Sequence, residues 1–224
     1  MLQEARLAVA RKWHRVAILY VNDAYGRGHA DAFVPAFRAL GGEVVLQDPV
    51  TDTTTDFDVF VRAYKASRPD AVFVICGTYS YRAFLRAAAA QHLPSQIFGG
   101  DGWASSLATE PYADGVMWPS MFLLNDTATV AVQFRTAFRR RFNREPDAVS
   151  AMAYDAARAL LEAIRRGGDT RQGVREALAS PGVLAIGATG PISFRRGDRV
   201  GGVGGGVRVR DGAIHTDMRW NELR

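Results

Sequence analysis

Three short stretches carry the residue types from which a small-molecule site can be built: Asp23-Ala24-Tyr25-Gly26, Gly77-Thr78-Tyr79-Ser80 and Gly99-Gly100-Asp101-Gly102. Asp101 stands between glycines, which let the backbone turn tightly and come close to a ligand. An ionised carboxylate that accepts from an ammonium group makes a charge-assisted hydrogen bond worth about 1.5–3 kcal/mol. Tyr25 could cover such a ligand with its ring while its hydroxyl finds a polar partner. On residue type alone Asp101 reads equally well as a turn residue.

Each stretch follows an apolar run that reads as a strand buried on both faces. Val16–Tyr20 is the first, Val72–Ile75 leads to the second stretch, and Ile97–Gly99 to the third. Val21–Gly28 reads as the loop out of the first strand. The helix after it carries Ala32, Phe33, Ala36, Phe37 and Leu40 on one face, with Gly41-Gly42 as its stop and Val44–Leu46 opening the next strand. Asp56–Ser67, preceded by Thr53-Thr54-Thr55, and Tyr81–Gln91 read as further helices, and Gly115–Trp118 as a fifth strand. This alternation predicts a parallel sheet covered on both faces, with ligands at the carboxyl ends of its strands. Tyr25, Thr78, Tyr79 and Asp101 all fall at such ends.

From Pro119–Asn125 onward the pattern turns mainly helical, with helices over 127–142, 149–166 and 171–178. Ile192–Phe194 and Val207–Val209 read as a hairpin across Arg195–Asp198. The Gly201–Gly206 run lacks the strand, helix and Lys-Ser/Thr of a phosphate loop and reads as a loop or hairpin turn.

The composition of the 224 residues is that of an ordinary globular protein, 48% hydrophobic and 23% charged. No apolar run approaches the roughly 20 residues of a membrane span. A net charge of +5 raises nucleic acid as a partner. However, Lys12 and Lys65 are the only lysines, and the dense cluster Arg139-Arg140-Arg141 accompanies Phe134, Phe138 and Phe142 on one helix. That reads as a solvated helix face, so no nucleic-acid partner is expected. Cys76 is the only cysteine and closes an apolar strand, which reads as a buried, inert thiol. Dinucleotide, nucleophile-elbow and metal-ligand motifs are missing, and His14, His29, His92 and His215 are scattered. Neither an enzyme nor a cofactor is expected.

The order and spacing of several motifs resemble the leucine/isoleucine/valine-binding family of type I periplasmic solute-binding proteins, which serve ABC transporters. The motifs are Asp23–Gly26, Leu40–Val45, Asp56-Phe57, Pro69–Val72, Gly99–Gly102, Ala153–Ala156 and Gly190–Phe194. The resemblance implies an α/β fold of the periplasmic-binding-protein type I, a parallel sheet sandwiched by helices. It implies one near-complete lobe, residues 1–121 with 206–224, and a partial, mainly helical N-terminal lobe, residues 122–205. The strand near Gly206–Asp211 would return to the first sheet. The N-terminal part of the first lobe has no counterpart in this sequence, and Met1–Arg11 reads as an amphipathic helix rather than a secretory leader.

Carried over residue by residue, the resemblance makes Tyr25 the aromatic contact, Thr78 or Tyr79 the contact from the third strand's end, and Asp101 the acid. The ligand would be a small amphipathic solute such as a branched-chain amino acid or an amide, and the partner an ABC permease. The implied location is periplasmic or extracytoplasmic. A ligand-sensing domain of a signalling or regulatory protein with the same fold is the alternative. Helices 127–142 and 149–166, short of part of their sheet, are expected to expose an apolar face through which chains associate.

Overall fold

The computed structural model describes residues 1–103, 105–195, 197–200 and 204–222. The chain divides into two compact units, Met1–Pro119 with Gly206–Arg224, and Ser120–Gly205. In chain order the elements are α1 (Leu2–Ala10), β1 (Arg15–Val21), α2 (Ala24–Ala39), β2 (Glu43–Val50), α3 (Asp58–Ser67), β3 (Ala71–Ile75), α4 (Thr78–Ala90), β4 (Gln96–Gly99) and β5 (Met117–Ser120). Then come α5 (Thr129–Phe142), α6 (Ala148–Gly167), α7 (Arg171–Ala179), β6 (Ala185–Gly187), β7 (Gly190–Arg195) and β8 (Asp198–Val200), followed by β9 (Gly205–Arg210) and β10 (Ala213–Arg219).

The first unit is built on a seven-stranded sheet in the order β10-β9-β5-β4-β3-β1-β2. β1 pairs in parallel with β2 and β3, β3 with β4, and β4 with β5. This is the α/β, largely parallel fold that the alternating pattern predicts. β3 lies centrally and is buried at every residue, which is why Ala71–Ile75 is uniformly apolar. Phe73 and Phe98 stack across β3 and β4 with ring centroids 4.5 Å apart, and Phe33 of α2 packs on both.

Two helix starts come earlier than expected. Asp23, not a later residue, caps α2: its carboxylate accepts from the Gly26 amide at 2.8 Å. Gly26 makes this abrupt turn possible, since a Cβ there would lie 1.9 Å from the Val21 carbonyl oxygen. Tyr25 therefore belongs to the first turn of α2 and not to a loop. Thr78 and Tyr79 likewise open α4, directly after an extended Gly77. The buried face of α2 is Gly26, Ala30, Phe33 and Phe37, while Ala32 and Leu40 are exposed. The three threonines do not cap α3; Thr54 hydrogen-bonds back to Thr51, and the Asp56 carboxylate accepts from the Asp58 amide.

β9 and β10 complete the first sheet. Their attachment is partly ionic: the Asp217 carboxylate, nearly buried, accepts from Arg208 Nε at 3.1 Å and from Arg11 just past α1. Val207–Val209 thus belongs to this sheet, as the resemblance implied, and the expected hairpin with Ile192–Phe194 does not form. β7 pairs instead with β6 and β8, both antiparallel. Nearby chain wins here, because β7 pairs with the strand that follows it directly, Arg195 opposite Asp198. In the expected Gly201–Gly206 loop, residues 201–203 lie outside the described residues.

The second unit packs α5, α6 and α7 with the small sheet β6-β7-β8. One cluster joins Phe122, Phe134, Ala151 and Ala188, with Tyr154 packed on Phe134 at 4.8 Å. Ala159, Leu184 and Ile192 form another. Asp155 of α6 is buried and takes hydrogen bonds from the Ala188 amide (2.5 Å), the Thr189 amide (3.1 Å) and the Thr189 hydroxyl (2.6 Å). Arg199 of β8 lies 3.3 Å away and compensates its charge. The Tyr154-Asp155-Ala156 motif is thus structural: a carboxylate that fixes the β6–β7 turn on α6.

Candidate functional site

At the carboxyl edge of the first sheet, the chain leaving β4 crosses the start of α2. The Tyr25 hydroxyl donates to Asp101 Oδ1 at 3.1 Å, joining residues 76 positions apart. Gly100 is needed for this approach, because a Cβ there would stand 2.6 Å from the Tyr25 hydroxyl. The loop therefore closes over the end of the tyrosine ring and holds Asp101 in front of it.

His29 completes the group one helical turn after Tyr25. Its ring lies against the Tyr25 ring, with centroids 4.2 Å apart and planes at 48°. Nδ1 is 3.0 Å from the Tyr25 carbonyl oxygen, and Nε2 is 3.4 Å from Asp101 Oδ1. A carbonyl oxygen only accepts, so Nδ1 carries the proton and Nε2 is the nitrogen that titrates. The sequence reading missed His29 because it ended the loop at Gly28. Once α2 starts at Ala24, the spacing of four from Tyr25 puts both on one helix face.

The electrostatics follow from these contacts. Asp101 is held below the ordinary carboxylate range, chiefly by its contact with His29, which outweighs the opposing effect of burial, with a lesser contribution from Tyr25. His29 is raised, chiefly by its hydrogen bond to Asp101, with burial opposing. Burial and then the Asp101 charge push the Tyr25 hydroxyl up, so it stays a donor. The Asp101 side chain is 63% exposed, and both side-chain contacts fall on Oδ1. An ionised carboxylate has room for about four acceptor bonds. Asp101 can therefore accept from a ligand on its open side.

Of the four sequence-derived candidates, the structure joins Tyr25 to Asp101. Thr78 and Tyr79 stand at the same sheet edge, exposed at the start of α4; Tyr79 is 87% exposed. Among the described residues neither hydrogen-bonds to Asp101. Trp103 packs under the loop, 5% exposed and stacked on Tyr81 at 4.6 Å. The Cys76 thiol is buried, and burial pushes its pKa up to about 12, which keeps it protonated. No group of His, Cys, Asp and Glu among the described residues could hold a metal ion.

Residues 4–204 match the family described as periplasmic binding protein. Over 94 residues the chain is 34% identical to a Leu/Ile/Val-binding protein of Rhizobium johnstonii, a stretch covering 41% of this chain and 25% of that protein. A leucine binding protein from Thermotoga maritima superposes with a TM-score of 0.87 at 23% identity, over 97% of this chain and 64% of the other. A solute binding protein of an ABC transporter from R. palustris, solved with benzoate, gives 0.85 at 16% identity, over 98% and 62%. The chain thus spans less than two thirds of the length of each of these proteins. Fold, motif order and match together lead to one conclusion: the chain belongs to the periplasmic binding protein family.

Proposed function

We propose that this chain serves as a solute receptor for an ABC transporter outside the cytoplasm, and that Tyr25 and Asp101 recognise the ammonium or amide of a small amphipathic solute. The observation that carries this reading is the exposed, ionised Asp101 carboxylate, fixed by the Tyr25 hydroxyl at a strand's carboxyl end. Ligand sites need few charged groups, but those must be held in place. Here the Tyr25 hydrogen bond and the glycines beneath supply that rigidity. Thr78 or Tyr79, from the next helix start along the edge, adds a hydroxyl contact. The relatives' ligands bound the class: their names speak of leucine, isoleucine and valine, and of benzoate. A branched-chain amino acid fits the acid at Asp101 best, because its ammonium neutralises the carboxylate. No described helix is long and apolar enough to cross a membrane.

The test is a thermal-shift titration against aliphatic amino acids and small amides, with Asp101→Ala in parallel. One aliphatic amino acid is expected to raise the melting temperature saturably, and the variant is expected to lose that rise. A cooperatively melting protein that responds to no amino acid or amide would sink the reading.

A further inference from the structure

His29 has no part in the reading above, yet its geometry is that of a group that changes what Asp101 can do. The Tyr25 carbonyl fixes the proton on Nδ1. In the neutral ring, Nε2 then turns a lone pair toward Asp101 Oδ1 at 3.4 Å and offers that oxygen nothing. In the imidazolium, the same nitrogen carries a proton and forms an ion pair with that oxygen. One proton thus converts a site of charge −1 into a neutral pair, without moving a side chain.

We propose that His29 determines the charge of the solute this site accepts: neutral, it leaves Asp101 to an ammonium group, and protonated, it claims Asp101 and turns the site toward neutral or anionic solutes. The inference rests on the proposed role of Asp101 as the ligand's acceptor. The groups facing His29 are few. Tyr25 lies against its ring and stays a neutral donor, Asp101 faces Nε2, and the Met1 ammonium, paired with Glu4, opposes its protonation. Of these, Asp101 is the strongest influence and raises the titration of His29 above its ordinary value. The sign follows directly. An ammonium ligand competes with the imidazolium for one carboxylate, so its affinity falls as pH drops through the His29 midpoint. The affinity of an anion rises over the same interval.

The experiment is calorimetric binding of L-leucine and of benzoate between about pH 5.5 and pH 8, a range in which neither probe titrates, on the wild-type chain and on His29→Gln. Leucine affinity is expected to fall by up to about tenfold for each pH unit below the midpoint. Benzoate should change in the opposite direction, and His29→Gln, which keeps the Met1 ammonium, should give flat profiles for both. Leucine binding with the same pH profile in both proteins overturns this inference and leaves the solute-receptor reading standing. Binding of neither probe at any pH, with no thermal shift from any other amino acid or amide, overturns both. An NMR titration of the wild-type imidazole needs no ligand and no variant: a midpoint at or below the ordinary histidine value also overturns the inference.

Discussion

At the scale of single residues, the site is a matter of who can approach whom. Asp101 meets Tyr25 because Gly100 has no side chain, and the strand-to-helix turn that presents Tyr25 exists because Gly26 has none. The two glycines differ in what a Cβ would strike. At Gly100 it meets the far end of the Tyr25 side chain, which can swing away. At Gly26 it meets the Val21 carbonyl, which is backbone and cannot. Gly100→Ala is therefore expected to fold with a loss of about 1 kcal/mol, while the Tyr25–Asp101 hydrogen bond is broken and leucine affinity falls. Gly26→Ala should cost about 3 kcal/mol or more. Denaturant melts give the two stabilities, and equal losses would refute the distinction. The His29–Asp101 pair adds a little stability of its own in a bounded window. The histidine's share is complete below its ordinary pKa and lost as pH rises through the raised one, and the aspartate's share is lost as pH falls through its lowered value. With Asp101 largely in water, that share is small.

At the scale of elements, helix starts were the hardest feature to read. Pattern gave the parallel strands β1 to β4, since buried parallel strands are largely apolar and leave few alternatives, but it gave no sign of β6, β8 or β10. Helix onset depends on a cap and on where the preceding strand ends. Asp23 began α2 earlier than the apolar spacing suggested, and His29 was overlooked for that reason. Asp155 is the clearest element-level contact. It ties α6 to the β6–β7 turn through three hydrogen bonds and neutralises Arg199. Truncating it leaves two buried amides and a hydroxyl without their acceptor and removes the counter-charge of Arg199. Asp155→Ala is expected to destabilise the second unit by about 3 kcal/mol or more, and hydrogen exchange at Ala188 and Thr189 measures it. Protection at those amides equal to wild type would contradict this account.

At the scale of the whole molecule, α6 is inverted relative to an ordinary surface helix. It buries Ala151, Asp155, Ala159 and Ala163 and turns Val149, Met152, Leu160, Leu161 and Ile164 outward. Val149 is 71% and Leu161 68% exposed. Contiguous exposed apolar surface drives association. The chain is therefore expected to elute from size exclusion at an apparent mass that rises with concentration. Val149→Lys combined with Leu161→Lys should hold it at the monomer position. A wild-type chain that stays monomeric at high concentration would show that this face is tolerated in water.

The sequence by itself determined the alternation of strand and helix, the parallel α/β class, the family, and the sheet ends where Tyr25, Thr78, Tyr79 and Asp101 stand. Those features are written in short-range burial patterns and turn residues, which a linear reading can follow. Only the tertiary structure decided which of these residues meet. Tyr25 and Asp101 come together because β1, β3 and β4 lie side by side in parallel register, so that the ends of β1 and β4 open on one edge of one sheet. The approach of His29 to Asp101 and the burial of Asp155 likewise arise from contacts between distant segments. Such contacts depend on register and on unoccupied space, and neither is recorded in the local order of residues.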